Sequence, residues 1–173
     1  MPATRYPERM SGTVVIVMGV AGVGKTTVGA ELARRLGCTF LDADHDHPPA
    51  NIARMARNEP LDDEDRRAWI EAVRARVEHH VARGDDVVLA CSALRLAHRA
   101  LLIAAAHRVV VVHLTAPRDI IAARLASRRG HFAGPALLAS QFDDLQLPDE
   151  SLTLDATRPV AELVAEIVAT VNA

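Results

Sequence analysis

Lys25 and Thr26 close the run Gly19-Val20-Ala21-Gly22-Val23-Gly24-Lys25-Thr26, which satisfies the pattern G-x-x-x-x-G-K-[ST]. These residue types at this spacing suit one chemistry. Glycines let successive backbone N–H groups converge on an anion, and a helix beginning at the lysine adds partial positive charge. The Lys25 ammonium can then reach β- and γ-phosphate oxygens, and the Thr26 hydroxyl can ligate Mg²⁺. Gly19, Ala21, Gly22, Val23, Gly24, Lys25, Thr26 and Thr27 are the candidate nucleotide contacts. Two carboxylates follow in Asp42-Ala43-Asp44. Phosphoryl transfer needs a metal held near the β/γ oxygens and an acceptor hydroxyl oriented in line. Val87-Val88-Leu89-Ala90-Cys91-Ser92 carries no aspartate, so Asp42 is the better candidate for metal support and Asp44 for taking the hydroxyl proton. The alternative is that both merely cap the turn.

His45-Asp46-His47 comes next and invites a zinc reading, but no cysteine or paired-histidine pattern elsewhere supplies the remaining ligands. His47 reads better as a donor to a polar acceptor. Further on, Arg124 and Arg128 stand four residues apart and lead into Arg129-Gly130-His131. On a helix they share a face, where like charges repel unless an anion lies between them. With Gly130 and Gly134 as hinges, the stretch reads as a lid over about 127–140 that clamps ATP phosphates, with Arg128 catalytic. Arg95 and Arg99 could face an acidic acceptor; Trp69 and Phe142 read as packing residues.

The elements that must position these groups follow from periodicity. Predicted strands cover Val14–Met18, Thr39–Leu41, Val87–Cys91, Val109–Leu114 and Leu152–Leu154. Predicted helices cover Lys25–Leu36, Pro49–Arg57, Glu64–Arg83, Arg95–Ala105, Pro117–Arg128 and Val160–Val171. Asp62 or Asp63 caps the longest helix, and Gly37 and Gly84 mark helix ends. Strand–helix alternation predicts an α/β fold: a three-layer P-loop NTPase with a five-stranded parallel sheet and ligands at the carboxyl ends of its strands. A helical excursion over about 45–83 is placed to bind the acceptor.

The 173 residues fit a single domain over 13–173 after a loose arm, 1–12, with Met10 as an alternative start. Hydrophobic residues make up 50% of the chain but aromatics only 3%, a usage that suits a parallel sheet covered by helices. A net charge of −2 argues against a general nucleic-acid binder. No apolar run approaches the ~20 residues that span a bilayer. The polar N-terminal stretch lacks the apolar core of a signal peptide. Cys38 and Cys91 form no spaced framework and read as reduced thiols of a cytoplasmic protein.

Together these pieces resemble the gluconokinase family, in the nucleoside-monophosphate-kinase-like branch of P-loop kinases, similar to shikimate kinases. The resemblance rests on Gly19–Thr27, Asp42-Ala43-Asp44, His47-Pro48, Asn51-Ile52-Ala53-Arg54-Met55 and Glu59–Arg66 with Trp69. It continues through Cys91-Ser92-Ala93-Leu94, Arg124-Leu125, Arg128, Gly130-His131-Phe132, Leu138, Ser140-Gln141-Phe142 and Leu145. It implies ATP- and Mg²⁺-dependent phosphorylation of D-gluconate at its 6-hydroxyl. It also implies that His47, Arg54, Ser92, Ala93 and Arg99 line the gluconate pocket. Arg124, Arg128 and His131 would serve the lid and nucleotide side, His131 also meeting substrate, while the Asp155–Pro159 loop with Arg158 would border adenine. Family members are often dimers, so a homodimer is open to this chain. Two rivals remain: a kinase for another hydroxy acid, and an ATP-binding regulatory module without an acceptor.

Overall fold

A computed structural model describes residues 12–57, 59–128 and 135–173. The N-terminal arm, Gly130, His131 and Gly134 therefore lie outside the described residues. Five parallel strands form one sheet: β1 (Thr13–Met18), β2 (Thr39–Asp42), β3 (Val87–Ala90), β4 (Arg108–Thr115) and β5 (Leu152–Asp155), in the order β2-β3-β1-β4-β5. The fully buried β1 sits at the centre, with Val15 opposite Val88 of β3 and Val110 of β4.

Alternation along β1 sorts its side chains between two cores. Val15 and Val17 join Leu32, Ile121, Leu138 and Ile167 on one face. Val14, Ile16 and Met18 join Trp69, Ile70, Val73 and Leu102 on the other. The first face is covered by α1 (Lys25–Leu36), α5 (Arg118–Ser127), α6 (Pro135–Asp144) and α7 (Val160–Val171). The second is covered by α3 (Asp63–Val81) and α4 (Leu96–Ile103), with α2 (Pro49–Ala56) leading into α3. This is the predicted three-layer architecture.

Most predicted elements stand within a residue or two of their observed ends, and α1 and α7 match throughout. Gly37 stops α1 in a left-handed conformation, its N–H donating to Ala33 O. Asp62 caps α3 through a reciprocal box with Asp65. One expectation needs correction. The helix predicted through Arg128 ends at Ser127, and Arg128 is extended, so Arg124 and Arg128 do not share a helical face. The region expected as a lid over 127–140 contains the start of α6, and Leu138 there is buried in the core at 7% exposure. Residues 129–134, at the centre of that stretch, lie outside the described residues. No helix among the described residues is long and apolar enough to cross a membrane.

Candidate active site

The phosphate loop joins the carboxyl end of β1 to α1, and its glycines are required for different reasons. A Cβ on Gly19 would stand 2.7 Å from Leu114 O, a backbone atom that cannot yield. Gly24 has open space around it but holds φ at +113°, which L side chains rarely adopt. Gly24 also caps α1 without a side-chain bond, which leaves the first amides of the helix pointing at the loop's concavity. Lys25 Nζ donates to Val20 O at 3.0 Å, folding the ammonium back over the loop. Burial lowers its pKa, while the charges of Asp44 and Asp42 oppose that shift and Arg128 adds to it. Those couplings gather the lysine and both aspartates into one electrostatic site.

Asp42 ends β2 and does two things. Its Oδ2 accepts from Thr26 Oγ1 at 2.9 Å, and its Oδ1 accepts from Asp44 N at 3.0 Å, starting the 3₁₀ turn Ala43–Asp46. The turn-capping reading is thus true of Asp42, and it coexists with the bond to the phosphate loop. Asp44 is left exposed. Trp69 of α3 reaches across to donate from Nε1 to Ala43 O at 2.7 Å. Its ring lies parallel to His47 at 4.5 Å, and burial holds the His47 pKa below its ordinary value. Trp69 is therefore more than a packing residue: it pins the turn that carries Asp44. Asp46 turns to α3 and accepts from Arg76 Nη1 at 3.1 Å.

On the nucleotide side, a cleft of about 400 Å³ runs from Gly22, Gly24 and Thr27 to Arg128, Thr157 and Arg158. Arg124 joins its walls by donating to Val23 O at 3.0 Å and Ala156 O at 2.9 Å. These bonds hold the guanidinium in the wall of the nucleotide cleft. Thr157 N and Oγ1 both donate to Asp155 Oδ1, which shapes the 155–159 loop. Arg158 is paired with Glu166 at 2.9 Å on α7.

The arginines expected around the acceptor also make bonds within the fold. Arg54 donates to Asp62 at 3.1 Å, to Asp65 and to Pro60 O at 2.9 Å, tying α2 to the start of α3. Arg99 is 2% exposed, and its Nη1 donates to Ala93 O and Leu94 O, both at 2.9 Å. It works from beneath the Ser92–Leu94 loop, and its Nη2 is buried without a hydrogen-bond partner among the described residues. Ala93 adopts a left-handed φ of 43°, a strain of about 1–2 kcal/mol for a residue with a Cβ, and Arg99 holds it there. Arg95 bridges Asp144 at 2.9 Å and Asp63 at 2.5 Å. Cys91, buried beside this loop, has its thiol pushed up to about 12 by burial and is no nucleophile.

One participant had no role assigned from sequence. Gln141 of α6 accepts from Ala21 N of the phosphate loop at 2.6 Å through Oε1. The two residues are 120 positions apart, and no local pattern relates them.

A family model described as an AAA domain matches residues 14–148. The thermoresistant gluconokinase of Escherichia coli (strain K12) is 36% identical over 159 residues, covering 90% of this chain and 91% of that protein. A gluconokinase from Sinorhizobium meliloti 1021 superimposes with a TM-score of 0.81 at 34% identity, covering 93% of this chain and 92% of that one. A sugar kinase from Janibacter sp. HTCC2649 gives 0.84 at 37% identity, covering 91% and 92%.

Proposed function

This chain belongs to the gluconokinase family of P-loop kinases, and on that premise we propose that it transfers the γ-phosphoryl group of ATP to the 6-hydroxyl of D-gluconate. The products are 6-phospho-D-gluconate and ADP. The observation that carries the reading is the Asp42-Ala43-Asp44 turn at the mouth of the phosphate loop, electrostatically coupled to Lys25.

The loop amides from Gly22 to Thr26 bind the β- and γ-phosphates, with Gly19 and Ala21 shaping the loop and Thr27 in the cleft wall. Lys25 leaves Val20 O to meet charge developing on the transferring group. Asp44 orients the 6-hydroxyl and accepts its proton as the new O–P bond forms. Thr26 Oγ1 and Asp42 Oδ2, 2.9 Å apart, are hard oxygen donors of the kind Mg²⁺ prefers, and they are the residues that would hold it. Bound there, the ion would offset the negative charge of the phosphate oxygens. Arg128 borders the cleft on the phosphate side, and the 155–159 loop with Arg158 borders adenine.

His47, Ser92 and Ala93 line the acceptor side, and His131, outside the described residues, is proposed to meet the substrate. Arg54 is a third exposed and offers its remaining face to the acceptor's carboxylate. Two free thiols suit a reducing, cytoplasmic setting, and a homodimer is the assembly proposed.

An ADP-release assay across a panel of sugar acids and shikimate, with an acceptor-free control, tests the reading. ADP release that depends on D-gluconate is expected. Equal release without any acceptor would replace the kinase by an ATP-hydrolysing module, and preference for another acid would reassign the substrate.

A further inference from the structure

The segment from Gln141 to Gln146 grips both loops of the site. At its start, Gln141 meets Ala21 N, and because a backbone N–H can only donate, the amide oxygen must face the phosphate loop. At its end, Gln146 N donates to Leu94 O at 2.9 Å, and Gln146 Oε1 accepts from Leu96 N at 2.5 Å. Between them, Asp144 Oδ1 accepts from Arg95 Nη2 at 2.9 Å, and its Oδ2 accepts from Arg66 Nη1 at 3.0 Å. The segment is itself anchored. Phe142 packs on one core, and Leu145 packs on both. Arg118 lies over the Phe142 ring at 4.1 Å.

The direct link between the two loops is weaker. Gly19 N donates to Ser92 O at 3.4 Å, near the limit for a hydrogen bond. Below that bond the strands fix the roots of both loops, Cys91 N donating to Val17 O at 3.1 Å, while α6 and its exit tie the parts beyond the strands.

We propose that Gln141–Gln146 is a spacer that sets the acceptor loop against the phosphate loop, with Gln141 and Gln146 as positioning residues for in-line transfer. The proposal rests on the kinase reading above. In-line transfer is sensitive to placement: a shift of about 1 Å can cost on the order of 10²-fold in rate. A tie that fixes separation should therefore register in kcat more than in folding.

The test uses the full chain with Gln141→Leu, Gln146→Leu, the double variant, and Gln146→Glu, which keeps an acceptor for Leu96 N. Steady-state kinetics are read together with amide exchange at Ala21 and Leu96 without substrates. Each Leu variant should lower kcat by roughly tenfold, within the range for slight misplacement. KM for ATP should rise in Gln141→Leu, and KM for gluconate in Gln146→Leu. Exchange at the matching amide should accelerate, and Gln146→Glu should restore both readouts. The double variant should lose less than the product of the singles, since cutting either end frees the spacer. Unchanged kcat in both single variants overturns the proposal. So does a lower KM for ATP in Gln141→Leu, which would make Gln141 a plug that competes with phosphate. If the unaltered chain shows no acceptor-dependent turnover, the kinase reading fails instead, and unchanged exchange at Ala21 and Leu96 would separately remove the spacer.

Discussion

The two halves of the site are built by different means. On the donor side the working groups are mostly main-chain amides, delivered by one continuous loop and the helix it opens, with Lys25 and Thr26 at the junction. On the acceptor side they come from several elements, each held in place by a side chain. Ala43 O is pinned by Trp69, Arg54 is held by Asp62 and Asp65, and Asp46 is paired with Arg76. A main-chain cradle tolerates change outside the few positions whose backbone or size is constrained. A cradle of side chains can be altered wherever one of its supports is altered. Substrate choice is therefore the easier property to change in this fold, and nucleotide use the harder.

Mutations can break that comparison. The largest effect is expected at Asp44. Asp44→Asn keeps size and much of the hydrogen bonding but removes the base, so kcat should fall roughly 10²–10⁴-fold, the usual range for acid–base groups, with ATP affinity little changed. Asp42→Asn should differ, with its loss partly restored by raising Mg²⁺, as mass action on a weakened site requires. Titrating both variants with Mg²⁺ separates the roles; rescue of Asp44→Asn alone would exchange them. Next comes Lys25→Ala, with a loss of roughly 10²-fold or more, as for other preorganised electrostatic groups, and an unchanged fold by circular dichroism.

Trp69→Phe sharpens the comparison on the acceptor side. It leaves the buried Ala43 carbonyl without its donor, at a cost of about 1–3 kcal/mol in unfolding free energy. Denaturant titration measures that loss, and KM for gluconate should rise while KM for ATP stays. The smallest effect concerns pH. Burial is the leading cause that holds His47, His98 and His113 below the ordinary histidine value of 6.5. The folded state thus binds fewer protons than the unfolded chain. Their contribution to stability is full above about pH 6.5 and is lost as pH falls from there through the folded values. Denaturation midpoints at pH 7.5 and 5.5 should differ in that direction, and His113→Asn should narrow the gap.

The fold was legible because each of its signals is local. The β-branched apolar runs of β1, β3 and β4, and helices ended by Gly37 or capped by Asp62, need no distant partner to be read. The phosphate loop was legible for the same reason. The intramolecular partners of Arg54, Arg99 and Arg124 were not. A guanidinium looks the same in sequence whether it meets a substrate or a carbonyl, and Arg124 meets Val23 O across 101 positions. Helix Pro135–Asp144 shows the same limit: Leu138 and Phe142 pack against elements distant in sequence.

The unlike constraints on Gly19 and Gly24 also bear on how such a gene can decay. A side chain at position 19 collides with the backbone of β4 and threatens the sheet itself. A side chain at position 24 meets nothing and costs about 1–3 kcal/mol of backbone strain, less than the roughly 5–15 kcal/mol by which domains are commonly stable. Drift at the second position can retire the catalyst while sparing the protein. A duplicated copy altered there would persist as an intact scaffold, available for selection to a new purpose.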